Sequence, residues 1–383
     1  MNQHHSQHLL RMLLSCLIIF FTLSSAGCGQ NLGNNIPSIS LPKKQKDAVA
    51  LSGNYSGAGA SSQQSAVQTW IVGFNELQPA VNLSYDPSGS GAGVATFLNG
   101  ANVWAGSDIP LNNEQLRNSE TICHGHTAFD LPDYAAPIAI TYNLSSYGLN
   151  AKHLHLTAQV IAEIFNGTIT NWDSPQIKAL NPSIASQLPH LPITPVWRSD
   201  KSGTTKNFEE YLAAAAPHDW TKTSSENWSY QAGQGAKGTS GVIQTVLQAE
   251  GTIGYADAAQ VTSGLGIVAV HVGTNYVLPT DIATSNALSQ STILPSTTGR
   301  VIVSLPHTTT VANTYPIDLV SYAIACPVYT NNSKAEFVKQ WLTYIDSVEG
   351  QDAAHMTSGS VPLSHNIRTK VMETIQSIRV VAS

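Results

Sequence analysis

Apolar residues recur at helical spacing over 65–77 (SAVQTWIVGFNEL), where Val67, Trp70, Ile71, Phe74 and Leu77 share one face. The same period predicts helices over 157–167, 206–216, 241–249 and 334–348. In the third of these, Phe208, Tyr211 and Leu212 stand at i, i+3 and i+4. Short apolar runs predict strands over 80–85, 102–107, 136–144, 252–257, 299–305 and 318–326. Strands alternating with helices argue for an α/β fold, with a ligand expected beyond the carboxyl ends of the strands. No internal repeat is evident, and 275–312, rich in Thr, Ser and Pro, reads as loop-heavy.

The first 28 residues break this pattern. Arg11 precedes the apolar run 12–23 (MLLSCLIIFFTL), followed by small residues and SSAGC at 24–28. That order reads as an export signal over 1–27, too short for a comfortable membrane span. Its ending resembles a bacterial lipobox, which would make Cys28 the lipidated N-terminus; Ser25 stands where such sequences usually carry Leu. Residues 28–50 are polar, contain Pro37 and Pro42, lack periodicity and read as a flexible tether.

Composition narrows the class. The chain has 383 residues, room for two or three domains. Charged residues make up only 11%, against roughly 25% in an average chain, which suits an exported protein. The formal net charge is -6, and loss of 1–27 would remove Arg11 alone, leaving one more negative unit. Lys and Arg are not clustered as a nucleic-acid partner requires. Beyond Cys16 and Cys28 there remain Cys123 and Cys326; a disulfide between them is plausible but open. No CxxC pair points to zinc.

Three Gly/Ser/Thr turns open helices: 56–67 (SGAGASSQQSAV), 86–98 (DPSGSGAGVATFL) and the loop after Trp197, RSDKSGTT at 198–205. Each offers free backbone N–H groups, hydroxyls and the positive end of a helix dipole, which suits an anion. Each is equally a capped helix start and nothing more. A fourth piece, 104–111 (WAGSDIPL), puts Asp108 at a strand end before Pro110. A carboxylate beside an anion site makes sense if the anion carries a proton to donate; otherwise Asp108 caps a turn.

Together these segments resemble the phosphate-binding subunit of bacterial phosphate ABC importers. The matches are GAGAS at 57–61, GSGAGV at 89–94, AGSDIPL at 105–111 and RSDKSGTT at 198–205, with support from 165–182 and 233–257. The likeness runs from about residue 51 onward in the same order. Ser61 stands where Thr is common, Ser62 where a larger residue is common, and Lys201 where Gly is frequent.

The resemblance implies a two-lobed periplasmic-binding-protein-like fold of type II with the ligand in the inter-lobe cleft. It implies lobes of 51–135 plus 313–383 and of 136–312. It implies that Ser61, Ser62, Ser90, Ser202, Gly203 and Thr204 donate to phosphate, that Arg198 pairs with it as a fork, and that Asp108 accepts its proton. The implied partners are inorganic phosphate, the permease and ATPase subunits of an importer, and a membrane reached through the lipid on Cys28. No cofactor, metal or catalytic residue is implied. Asp200 would orient Arg198.

The competing class is a phosphatase-like hydrolase, and within binders a receptor for another oxyanion. Neither a Gly-x-Ser-x-Gly elbow nor a GxxxxGK[ST] loop occurs. His124/His126 and His153/His155 have spacing that would serve a metal on a strand, but no carboxylate-rich motif accompanies them.

Overall fold

The computed structural model describes residues 49–381. The export signal, Cys28 and nearly all of the tether therefore lie outside the described residues. One mixed sheet organises the chain. Its strands are β1 (Gly53–Gly59), β2 (Val81–Asp86), β3 (Trp104–Ser107), β4 (Phe129–Tyr142), β5 (Thr194–Arg198), β6 (Gln234–Ala236), β7 (Thr252–Asp257), β8 (Gly266–Ile267) and β9 (Asp318–Ala325). The order across it is β2-β1-β3-β9-β4-β7-β5-β6, with β8 also on β4. β1 pairs parallel with β2 and β3, and β5 parallel with β6 and β7. The long strands β4 and β9 run antiparallel between these two parallel groups.

β4 is buried at every position, as a central strand requires, and it changes partner along its length. Phe129–Pro137 pairs with β9, and Ile138–Tyr142 with β7. One aromatic cluster packs on the β1–β3 side, where Phe74 and Trp104 sit 5.3 and 5.6 Å from Trp341. A second, around Phe208, Phe165 and Tyr255, packs on the β5–β7 side. Each buried ring contributes about 2–3 kcal/mol. Helices are thus anchored by their apolar faces, while their starts are left to polar contacts.

The structure answers the question left open on the thiols. Cys123, at the C-cap of the helix Asn113–Ile122, and Cys326, just past β9, form a disulfide with Cα atoms 5.1 Å apart. The loop-heavy reading of 275–312 holds in part. That region holds a helix, Asp281–Ser289, and a two-stranded pair, Thr292–Leu294 with Ile302–Ser304. Thr280 caps the helix by accepting from Ala283 N, but its hydrophobic period is weak because only Ala283, Thr284, Ala287 and Leu288 are buried. Among the described residues no helix is long and apolar enough to cross a membrane.

Candidate functional site

Four helix starts meet at one place. They are those of α1 (Gln64–Leu77), α2 (Ser90–Leu98), α3 (Gly203–Ala215) and α4 (Gly238–Gln248). α1 follows β1 directly, α2 follows β2, and α3 and α4 follow β5 and β6, so the carboxyl ends of parallel strands aim all four inward. None carries an acidic residue in its first turn. Among the described residues only three of the other α-helices carry an acid there, Glu114, Asp281 and Glu349, which offsets their dipoles. The four converging dipoles are left uncompensated by their own helices, the condition for holding an anion.

Cross-contacts show the convergence. Ser61 Oγ accepts from Thr239 N at 3.0 Å and lies 3.0 Å from Thr239 Oγ1. Ser90 Oγ accepts from Gly203 N and Asp108 N, both at 3.2 Å, which leaves its own proton to donate. Among the described residues the N–H groups of Ser61, Ser62, Ser90 and Thr204 have no acceptor. Ser202 caps α3 by accepting from Thr205 N at 3.2 Å, so the capping reading holds at that residue. Ser61, Ser62, Ser90, Asp108, Arg198, Ser202 and Thr204 are all buried, none more than 4% exposed.

Asp108 does not cap a turn. Its carboxylate accepts from Ser62 Oγ at 2.8 Å (Oδ1) and 2.7 Å (Oδ2), from Thr204 Oγ1 at 2.8 Å and from Ser321 Oγ at 3.0 Å. Burial pushes its pKa above the usual carboxylate range, and the three hydroxyls and the Arg198 charge pull against that. The donors therefore supply what water would, and hold a charge that burial disfavours.

Arg198 is placed as expected, but its first fork is already filled. Nε donates to Asp200 Oδ1 at 2.8 Å and Nη2 to Asp200 Oδ2 at 2.5 Å. A guanidinium has five N–H groups, so three remain for a ligand. Asp200 also accepts from Gly238 N at 2.9 Å, which ties the Arg198 pair to the fourth helix start. Burial opposes its ionisation, but the bonds from Arg198 and Gly238 outweigh that and hold its pKa below the usual value. The formal charge of Arg198 is thus matched within the site, and neutral donors must carry an anion's charge.

Sequence reasoning missed several members. Gly238 and Thr239 lie in 233–257, quoted above for family likeness without a role. Gln260 donates through Nε2 to the carbonyls of both Ser61 and Ser62 at 3.0 Å. Asn207 Nδ2 donates to Asp108 O at 2.8 Å and Gly203 O at 2.9 Å. Ser321 gave no signal, because one serine inside a buried strand looks like any tolerated polar residue. The histidine pairs stand apart from the site: His124 and His126 are exposed in the turn after Ile122, and His155 stacks on Tyr276 at 4.0 Å.

The chain matches the PBP superfamily domain family over residues 46–349. It is 34% identical over 333 residues to the phosphate-binding protein PstS 2 of Mycobacterium tuberculosis, spanning 84% of this chain and 86% of that one. In fold it is similar to PfluDING, a high-affinity periplasmic phosphate-binding protein solved with phosphate: TM-score 0.66, 20% identity, 84% of this chain and 93% of that one. It is also similar to a candidate phosphate ABC transporter substrate-binding protein with bound phosphate from Clostridium perfringens: TM-score 0.57, 20% identity, 82% of this chain and all of that one. At 20% identity these two likenesses concern the fold alone.

Proposed function

The chain belongs to the PBP superfamily and, within its two-lobed α/β fold, to the phosphate-binding proteins; on that premise we propose that it binds inorganic phosphate outside the cytoplasm and delivers it to an ABC permease. The observation that carries the reading is Asp108, a buried carboxylate ringed by hydroxyl donors among four helix starts. A site of donors alone would take any tetrahedral oxyanion. One buried acceptor asks for an anion with a proton to give. Monohydrogen phosphate has one; sulfate has none and would set like charge against Asp108, a device of selection by repulsion. Hydrolysis has no support among the relatives, which are binding proteins by name.

In this reading Ser61, Ser62, Ser90, Ser202 and Thr204 donate to phosphate oxygens, Gly203 gives its N–H to Ser90 Oγ instead, and Arg198 uses the N–H groups that Asp200 leaves free. The lobes are 51–135 with 313–383 and 136–312. The change of partner along β4 at Pro137 and the site's assembly from both halves support that division. An export signal over 1–27 and a lipid on Cys28 would hold the domain at the membrane surface on its tether.

Calorimetric titration with phosphate and sulfate tests the reading. Phosphate is expected to bind tightly and sulfate weakly. Asp108→Asn is expected to raise sulfate affinity and lower that of phosphate, each by about tenfold or more. Equal binding of both anions by the unaltered protein would sink the role given to Asp108.

A further inference from the structure

We infer that Ser321, held in place by Gln63, is a positioning residue that keeps Asp108 an acceptor and so decides which oxyanion the site admits; this rests on the phosphate reading above.

The argument follows the protons. Gln63, at the turn that opens α1, is fully buried. Its Nε2 donates to Ser321 Oγ at 2.6 Å and to the Tyr322 carbonyl at 3.1 Å, while Oε1 lies 3.3 Å from Tyr85 OH, whose proton is shared with the nearer Ala60 carbonyl at 2.9 Å. A carbonyl only accepts and an amide nitrogen only donates, so the contact with Tyr322 fixes which end of the amide faces Ser321. Ser321 Oγ therefore receives a hydrogen from Gln63 and directs its own at Asp108 Oδ1, 3.0 Å away.

The backbone is shaped for this. Ser321 stands opposite Tyr134 and Tyr322 opposite Pro132, so Asp133 is an extra residue in β4. Such a bulge is a common way to aim a side chain into a site. A hydroxyl free to turn could instead accept from a protonated Asp108. Burial favours that neutral form, and in it Asp108 would become a donor that sulfate could use. The Gln63–Ser321 relay removes this escape at Oδ1, because the Ser321 hydroxyl already accepts from Gln63 and directs its proton at Asp108.

The test titrates Ser321→Ala and Gln63→Met with phosphate and with sulfate. General loosening weakens both anions alike and leaves their affinity ratio unchanged, whereas loss of the relay lowers the ratio. The phosphate-to-sulfate ratio is expected to fall about tenfold in Ser321→Ala, through tighter sulfate binding, and less in Gln63→Met. A ratio within about twofold of the unaltered protein in Ser321→Ala overturns the inference. If that variant does not fold, the same threshold applied to Gln63→Met decides. Equal binding of both anions by the unaltered protein would instead sink the Asp108 reading on which the relay depends.

Discussion

Asp257, at the end of β7, shows how far one residue's chemistry depends on burial that no sequence reveals. It is 3% exposed, and desolvation, aided by the Asp108 charge, pushes its pKa up to about 8. Unfolded, it titrates near 4. The folded state therefore holds the proton more tightly, so its contribution to stability is full below about pH 4 and is lost as pH rises toward 8. Thermal melts of the ligand-free protein should show Asp257→Asn with a shallower decline between about pH 5 and 8; identical slopes in both proteins would contradict this. Asp108 was legible because it breaks a Gly/Ser-rich anion pattern at a strand end. Asp257 and Ser321 were not, since a polar residue in an apolar strand reads the same whether it is a core residue or faces a ligand.

At the level of elements, the helices were easier to read than the strands. α1, α3 and α4 begin within three residues of the positions that their apolar spacing predicts. β1 was hidden because its glycines (GNYSGAG) look like loop, yet they answer to packing: a Cβ on Gly57 would come within 2.3 Å of the Trp104 ring. Gly203 is a second case with a direct consequence. A Cβ there would lie 2.8 Å from Asp108 Cβ and 2.9 Å from Ser90 Oγ, both on the opposing side of the site. Gly203→Ala should therefore keep the two sides apart. Phosphate affinity is expected to fall about tenfold or more, while the melting temperature of the ligand-free protein hardly moves, because the added methyl is relieved when the sides separate. A large drop in melting temperature with unchanged affinity would mean that Gly203 serves folding within its own half instead.

For the whole molecule, the question is what holds the site together around a small anion. Residues from 51–135 meet residues from 136–312 through polar bonds, among them Ser61 with Thr239, Thr204 with Asp108, and Gly203 with Ser90. The two aromatic clusters lie in separate halves, which the continuous sheet joins through β4 and β9. Across the site itself the two sides are held by a few hydrogen bonds, and closure there is finely balanced, because each contributes only about 1 kcal/mol net. A ligand then shifts the balance by the difference in its affinity for the joined and parted forms. Gln260 weighs on that balance without touching the ligand, since its amide spans the carbonyls of Ser61 and Ser62 from the other half. Removing it makes the joined form rarer, and apparent affinity falls in proportion to that form's population. Gln260→Ala should weaken phosphate about fivefold to thirtyfold while preserving the preference over sulfate, because every donor around Asp108 stays in place. Small-angle scattering should show the ligand-free variant more extended than the ligand-free parent, with phosphate at saturation returning both to the same radius. An altered anion preference would show that Gln260 shapes the site's chemistry, and unchanged affinity would show that the halves are joined by something other than these bonds.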